Sequence, residues 1–228
     1  MHFIAGVVAA VVFFLPMPHK AVAQDVTYKW DAGGATGLSG YLGDYSQSNP
    51  FVRPGFRISL SGSYILDSRW SFRTMAGVSS ISGTSNGIGG GLPPDAPTGF
   101  RSILGDLTLR AEFNFFAYGE GETFKRLSRW TPYIAAGAGV VVASPQGASV
   151  NVAPLMPLAL GVKFRLRPRL NLSGEFSMAK SFTDGLDGNS DLYGIAGCWL
   201  KNTDWVSTLT IGITYEFGER CLACHYFD

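Results

Sequence analysis

The sequence predicts an all-β protein: an eight-stranded antiparallel up-and-down transmembrane β-barrel that follows a cleaved N-terminal signal peptide. Three observations support this fold class. Apolar and polar residues alternate strictly along many segments, the connections between these segments alternate between long and short, and charged residues make up only 15% of the chain. Ordinary soluble domains contain about 25% charged residues. A wall that faces lipid needs no charge, so these features favour a membrane barrel over a soluble β-sandwich.

The first 23 residues have the form of a secretory signal peptide. An apolar run from Phe3 to Met17 precedes Ala21-Val22-Ala23, which has the small-x-small pattern of a cleavage site. The run is shorter than the ~20 residues that a spanning helix needs, so we reject an uncleaved anchor helix. We therefore expect three segments: a signal peptide at 1–23, the barrel at 24–217 and a periplasmic C-terminal tail at 218–228.

The clearest pair of predicted strands lies within residues 158–178. Every second residue from Leu158 to Leu166 is apolar, the residues between are small or charged, and the pattern resumes at Leu170 after a short break. Period two is the repeat of a β-strand, and a short break between two such runs predicts a hairpin. The same criterion predicts eight strands, at residues 28–37, 56–66, 70–78, 106–115, 131–142, 158–166, 170–178 and 208–217.

The connections between the predicted strands alternate in length. Those at 39–55, 82–100, 144–153 and 181–204 are polar and mostly long, whereas those at 67–68, 117–129 and 167–169 are mostly short. Bacterial outer-membrane barrels have long extracellular loops and short periplasmic turns. We therefore expect a protein of the outer membrane of a Gram-negative bacterium, surrounded by outer-membrane lipid, with both termini in the periplasm.

The charged residues of the predicted strands fall on the face opposite to the apolar one, which places them in the lumen. The lumen of an eight-stranded barrel is only wide enough for side chains to fill. Opposite charges buried there must pair, so Lys163, for example, should neutralise a carboxylate such as Glu175. We expect a structural ion-pair network, with a proton or solute path as the alternative. Its predicted members are Arg57, Arg73, Asp106, Arg110, Glu112, Lys163, Arg165, Glu175 and Glu216, joined by Lys29 and Asp31 if the first strand is placed correctly.

The sequence offers little for catalysis, cofactors, metals or nucleic acid. Removing the signal peptide removes Lys20, one of 18 basic residues, and leaves as many basic residues as the 17 acidic ones, so nothing attracts nucleic acid. His225 is then the remaining histidine, in the tail, far from where enzymatic barrels hold a general base. We expect no enzyme activity, no cofactor and no metal site. Cys221 and Cys224 are expected to form a disulfide in the oxidising periplasm.

The last predicted strand carries an assembly signal. Thr210-x-Gly212-x-x-Tyr215-x-Phe217 resembles the pattern by which the barrel-assembly machinery recognises outer-membrane proteins. That machinery is therefore an expected partner during biogenesis.

Several short motifs, taken in order, resemble the PorG-like family of small outer-membrane barrels, a component of the type IX secretion system of Bacteroidota. The chain departs from that pattern in its loops at 83–98 and 192–201. The motifs are Gly40-Tyr41-Leu42-Gly43-Asp44, Glu112-Phe113-Asn114-Phe115-Phe116, Thr131-Pro132-Tyr133, Lys180-Ser181-Phe182-Thr183-Asp184 and Gly212-Ile213-Thr214-Tyr215.

The resemblance implies a non-enzymatic role in protein secretion, in which the barrel anchors a periplasmic ring of PorK/PorN-type proteins to the outer membrane. Contacts would then lie on the periplasmic face. The candidate contact residues occupy one turn and the tail: Phe124, Lys125, Arg126, Arg220, Tyr226 and Phe227. The alternative is a stand-alone OmpA-like or adhesin-like barrel that binds ligands through its extracellular loops.

Overall fold

Eight antiparallel strands close into a barrel in the computed structural model, each strand pairing with the next along the chain and the last with the first. The structure describes residues 26–42, 51, 53–84, 99–119, 127–146, 149–182 and 204–219. The predicted up-and-down topology is confirmed, whereas the signal peptide and the tail beyond residue 219 lie outside the described residues. The strands are β1 (Tyr28–Leu42), β2 (Gly55–Ile65), β3 (Trp70–Thr84), β4 (Gly99–Asn114), β5 (Trp130–Pro145), β6 (Asn151–Arg167), β7 (Leu170–Ser181) and β8 (Trp205–Glu219).

Most strands are longer than predicted, and they are extended mainly at one end of the barrel. This end, which we call the loop end, carries the connections at 43–54, 85–98, 146–150 and 182–204; the opposite turn end carries those at 66–69, 115–129 and 168–169. The sequence predicts a strand that ends at residue 78 and a loop that begins at residue 82, yet the serine-rich and glycine-rich residues 79–84 pair with β4 as far as Thr84. Ladder pairing to a neighbour outweighs the weak strand propensity of these residues. The connection between β5 and β6 is also shorter than the predicted 144–153. It spans only residues 146–150, because β5 extends to Pro145 and β6 begins at Asn151.

The outer face of the barrel is apolar and the inner face is polar. Leu60, Leu160 and Ile211 are 71%, 61% and 64% exposed, whereas Glu112 is 0% exposed inside. A water-soluble barrel would show the reverse distribution, because apolar surface is unfavourable in water. Closed barrels present such a band to lipid, where every backbone group must find a partner within the sheet. Among the described residues, no helix is long and apolar enough to cross a membrane.

Aromatic side chains form a girdle around the outer face near the turn end. Trp30, Trp70 and Trp130 are all about half exposed there. Each contacts another ring, with centroids 4.8 to 5.1 Å apart, in the pairs Trp30–Tyr64, Trp70–Phe113 and Phe116–Trp130. Aromatic girdles mark the interface between hydrocarbon and head groups in outer-membrane barrels.

The lumen is divided along its length into a charged part and an apolar part. The charged part occupies the middle of the barrel and its turn end. The part nearest the loop end is filled by an apolar cluster, which the sequence analysis did not predict: Tyr41, Ile81, Leu104, Val141, Ala143, Ala153, Leu155, Ala179 and Val206. Its members come from seven strands at their loop-end portions, so side chains close the lumen at that end.

Candidate functional site

Glu175 on β7 lies at the centre of the charged part of the lumen. Its Oε1 lies 2.8 Å from Nη1 of Arg110, and its Oε2 lies 3.5 Å from Nη1 of Arg73. The hydroxyl of Tyr133 donates a hydrogen bond of 2.7 Å to the same Oε2. One buried carboxylate thus joins groups from β3, β4 and β5 to β7, and charge-assisted bonds of this kind are the stronger ones in proteins.

Glu112 on β4 forms a second centre, nearer the turn end. Arg73 reaches it with Nη2, 2.8 Å from Oε2, in a contact that is an ion pair but lacks hydrogen-bond geometry. Ser71 donates to Oε1 at 3.2 Å, and Lys163 also donates to Oε1.

The pairing of Lys163 differs from the expected one. Glu175 is level with Gly161 in the β6–β7 register, while Lys163 lies two residues closer to the turn end, opposite Ser173. Its ammonium therefore reaches across the lumen to Glu112. Glu175 is instead neutralised by the two arginines.

Two glycines make room for the network. Arg57 donates two hydrogen bonds to the carboxylate of Asp106, at 2.6 and 2.8 Å, and a Cβ at Gly77 would lie 2.6 Å from its Nη2. A Cβ at Gly161 would lie 2.5 Å from Cζ of Tyr133. Both positions therefore need glycine because a large side chain lies directly on the backbone.

The turn end of the lumen is capped by the connection between β4 and β5. Tyr118, in this connection, is 6% exposed, and its hydroxyl donates to Oδ1 of Asn171 at 2.6 Å. Asn171 in turn donates to Glu216 at 2.7 Å. The guanidinium of Arg165 lies 5.0 Å from the centre of the Tyr118 ring and 4.0 Å from Glu216. Burial raises the pKa of Tyr118, so the phenol keeps its proton and remains a donor.

Two small cavities lie in the lumen, one on each side of the network. Each has a volume of about 20 Å³, enough for about one water molecule. Tyr133 and Glu112, between them, are at most 1% exposed. In the charged part of the lumen, five basic side chains lie among five carboxylates: Arg57, Arg73, Arg110, Lys163 and Arg165 with Asp31, Asp106, Glu112, Glu175 and Glu216. A sixth carboxylate, Asp204, is buried at the loop end, where its Oδ1 accepts a hydrogen bond from the Tyr41 hydroxyl. This arrangement can hold the wall together, and it leaves no open water-filled path through the described part of the lumen.

A model of the family described as Domain of unknown function (DUF6089) matches residues 9–226, nearly the whole chain. The chain belongs to the DUF6089 family. No curated protein matches its sequence. The motif-based assignment to the PorG-like family is not shown by the family match and stays a prediction.

The solved structures that the DUF6089 barrel resembles include eight-stranded barrels of the outer-membrane type. Neisserial surface protein A matches with a TM-score of 0.53 at 14% identity, over 82% of this chain and 97% of that one. The attachment invasion locus protein of Yersinia pestis matches at 0.46 and 14%, over 85% and 99%. The outer membrane protein OprG from Pseudomonas aeruginosa matches at 0.45 and 12%, over 84% and 97%. Among these three, the similarity to Neisserial surface protein A, at a TM-score above 0.5 and 14% identity, shows the fold alone.

Several predicted site residues lie outside the described residues, so their contacts stay predictions. They are the candidate partner contacts Phe124, Lys125, Arg126, Arg220, Tyr226 and Phe227 and the candidate disulfide of Cys221 and Cys224. The described part of the chain contains no group of three or more His, Cys, Asp or Glu side chains that could hold a metal ion. Of the first-strand pair, Asp31 is buried and Lys29 is half-buried.

Sequence reasoning missed the neutral members of the network, Tyr118, Tyr133, Asn171 and Ser71. Tyr133 lies in the inward phase of β5, among alanines and glycines. Its inward position could have been recognised from the sequence, because an aromatic ring in the lumen needs a small neighbour. Gly161, its partner on the next strand, leaves that room. Tyr118 gave no signal, because it lies in a connection rather than in an alternating segment.

Proposed function

We propose that this DUF6089 barrel is a non-enzymatic anchor, which holds a periplasmic protein-secretion ring of the PorK/PorN type to the outer membrane with its turn end facing the periplasm. The resemblance of its motifs to the PorG-like family supplies the partner class. The observation that carries an anchoring role is the capped turn end, where Tyr118 of the connection between β4 and β5 covers a lumen that is already filled. With its lumen filled, the barrel offers a periplasmic protein partner the surface of its turn end.

The described parts of this connection are fixed to the barrel wall. The amide of Tyr118 donates to the carbonyl of Ser68 in the β2–β3 turn at 2.9 Å, and the amide of Ser128 donates to the carbonyl of Ala117 at 2.7 Å. Val26, 2% exposed, packs against Gly119. These described parts of the turn end are therefore held in place before any partner binds, and a preformed surface lowers the entropic cost of association.

The exposed surface around the cap is basic. Arg69, Arg129 and Arg167 are all exposed at the turn end. The nearby carboxylates have local partners: Asp67 accepts the amides of Arg69 and Trp70, and Glu219 pairs with Arg169 at 2.8 Å. A partner with an acidic surface fits this end, and the attraction should weaken as salt increases.

Charge reversal at the two ends of the barrel tests the proposal. The turn-end variant carries Arg69→Glu, Arg129→Glu and Arg167→Glu, and the matched loop-end control carries Arg53→Glu and Arg101→Glu, two other exposed arginines. Both variants should remain folded in the outer membrane and migrate anomalously when unheated. Ring proteins should co-purify with the control and be lost from the turn-end variant, with type IX export lost in parallel. Equal recovery of ring proteins with both variants would refute docking at this surface.

Truncation separates the tail from the cap. Deleting residues 219–228 should leave a folded barrel while releasing the partner if the tail contributes. Normal export by that truncation would leave the cap and its arginines as the docking surface. The alternative, ligand binding through the loops of an adhesin-like barrel, predicts that ring proteins never co-purify and that changes in the loop-end connections alter the phenotype.

A further inference from the structure

The outer wall contains a trough that is bordered on one side by a ridge of large side chains. Its floor is formed by Ala111 and Ala136, which are neighbours in the β4–β5 register. The ridge lies two residues closer to the turn end on each of these strands. It consists of successive cross-strand partners: Phe113, Ile134, Leu160 and Phe176. The depression has a volume of about 530 Å³, its lining is apolar, and it extends to Trp205 on β8.

Such a trough must be filled when the barrel is in a bilayer. Wall atoms that face a void lose their dispersion contacts, and an alkyl chain is the only component of the hydrocarbon layer that can restore them. Apolar lining alone does not select one lipid from another. Selection requires a polar group at the end of the trough, where the head group of a bound lipid would lie.

Lys180 supplies that group. It precedes the last residue of β7 at the loop end, on the outward face between the inward-facing Ala179 and Ser181. Lys180 is the register partner of Trp205, and its Nζ lies 5.6 Å from the centre of the Trp205 ring. A cation held over the indole that ends an apolar trough is placed to meet an anionic head group whose chain lies in the trough.

We propose that the trough and Lys180 form a binding site for one phosphorylated lipid, with an acyl chain over Ala111 and Ala136 and a phosphate at the Lys180 ammonium. Because the loop end of such barrels faces outward, the occupant is the phosphorylated glycolipid of the outer leaflet, lipid A. The site lies on the membrane-facing wall and is independent of the anchoring role proposed for the turn end.

A second trough on the same wall provides a matched control. It spans β2 to β5, has a volume of about 550 Å³, and contains Ala76 and Gly105 on its surface. Its lining is also largely apolar. Neither trough has a lysine or arginine in its own lining, but the first ends at Trp205, over which Lys180 lies, whereas no aromatic residue that could hold a cation lines the second. If filling a depression were sufficient for selective binding, the two troughs would behave alike.

Native mass spectrometry of the full-length barrel in detergent, titrated with purified lipid A, tests the proposal. The wild type should retain one lipid A per barrel. Ala136→Phe, which fills the first trough, and Lys180→Gln, which removes its cation, should each reduce retention at least tenfold, whereas Ala76→Phe should not. Dephosphorylated lipid A should bind the wild type as weakly as lipid A binds Lys180→Gln.

Three results would overturn the proposal. They are equal retention by Ala136→Phe and Ala76→Phe, unchanged retention by Lys180→Gln, or equal retention of phosphatidylglycerol and lipid A by the wild type. Heat-modifiable migration reports that each variant is folded. Should Ala136→Phe not fold, Ala111→Leu fills the same trough from the neighbouring strand with a smaller change.

Discussion

Two Arg–Glu ion pairs with the same nitrogen–oxygen distance allow the contribution of the lumen network to stability to be measured. Arg110 and Glu175 lie 2.8 Å apart inside the barrel, with side chains only 5% and 7% exposed. Arg169 and Glu219 also lie 2.8 Å apart, but at the turn end, with side chains 40% and 66% exposed. Replacing each glutamate by glutamine removes one charge and keeps the shape of the side chain, so burial is the main variable.

We expect opposite outcomes for the two substitutions. Glu175→Gln leaves Arg110 buried without a carboxylate and removes one of the two acidic partners of Arg73, and breaking a buried pair in this way costs about 3–5 kcal/mol. Glu219→Gln should leave stability unchanged within error, because water and ions screen an exposed pair. Equilibrium urea unfolding of the barrel in lipid vesicles, followed by tryptophan fluorescence, measures both.

A double variant checks the cause. Adding Arg110→Met to Glu175→Gln removes the uncompensated cation and should recover a large part of the lost stability. The interpretation of the network as a stabilising core would be refuted if Glu175→Gln unfolded at the wild-type urea concentration. Equal destabilisation by Glu175→Gln and Glu219→Gln would show that burial is not the deciding variable.

Three further substitutions test the phase and packing of the wall. Leu160→Arg places a cation on the lipid face and should lower the unfolding free energy by about 2–4 kcal/mol or block insertion; wild-type resistance to heat in detergent would place Leu160 inside. Gly161→Ala should cost about 1–3 kcal/mol, because the new methyl displaces the Tyr133 ring, and it should cost much less in a Tyr133→Leu background. Lys163→Met should fall at the low end of about 3–5 kcal/mol because Arg73 still faces Glu112, and adding Glu112→Gln should partly restore the urea midpoint.

The fold could be predicted because its strongest signal is local. Alternation with period two marks at least part of most strands, and a one-residue shift would move each charged side chain into lipid, so the sequence strongly determines which side chains face the lumen. Residues such as Arg57 and Glu175 were therefore placed in the lumen without knowledge of their partners. Whether Lys163 pairs with Glu112 or with Glu175 depends on the relative heights of strands on opposite sides of the lumen. Those heights follow from the register of all the strands between them, and the alternation within a single strand does not determine them.

The apolar part of the lumen escaped prediction for a different reason. Around Val141 and from Val152 to Leu160, apolar residues occupy both faces of the strand, so alternation of polarity disappears. These segments were interpreted as small apolar strands or loop margins, whereas their inward residues Val141, Ala153 and Leu155 fill the loop end of the lumen. A continuous apolar strand in a membrane barrel indicates that its lumen is apolar at that height.

The pairing of β1 with β8 determines when this barrel can close. Their ladder extends from the pair Tyr28–Glu219 to the pair Leu42–Trp205. The two strands that close the barrel are therefore separated in sequence by almost the entire described chain. No part of that ladder can form until the last strand has been synthesised and brought to the first, and until then both strands are open edges that can pair with other chains. Closure of the barrel, rather than formation of any hairpin, is therefore the last step of folding, and both edges stay open to mispairing until it is complete.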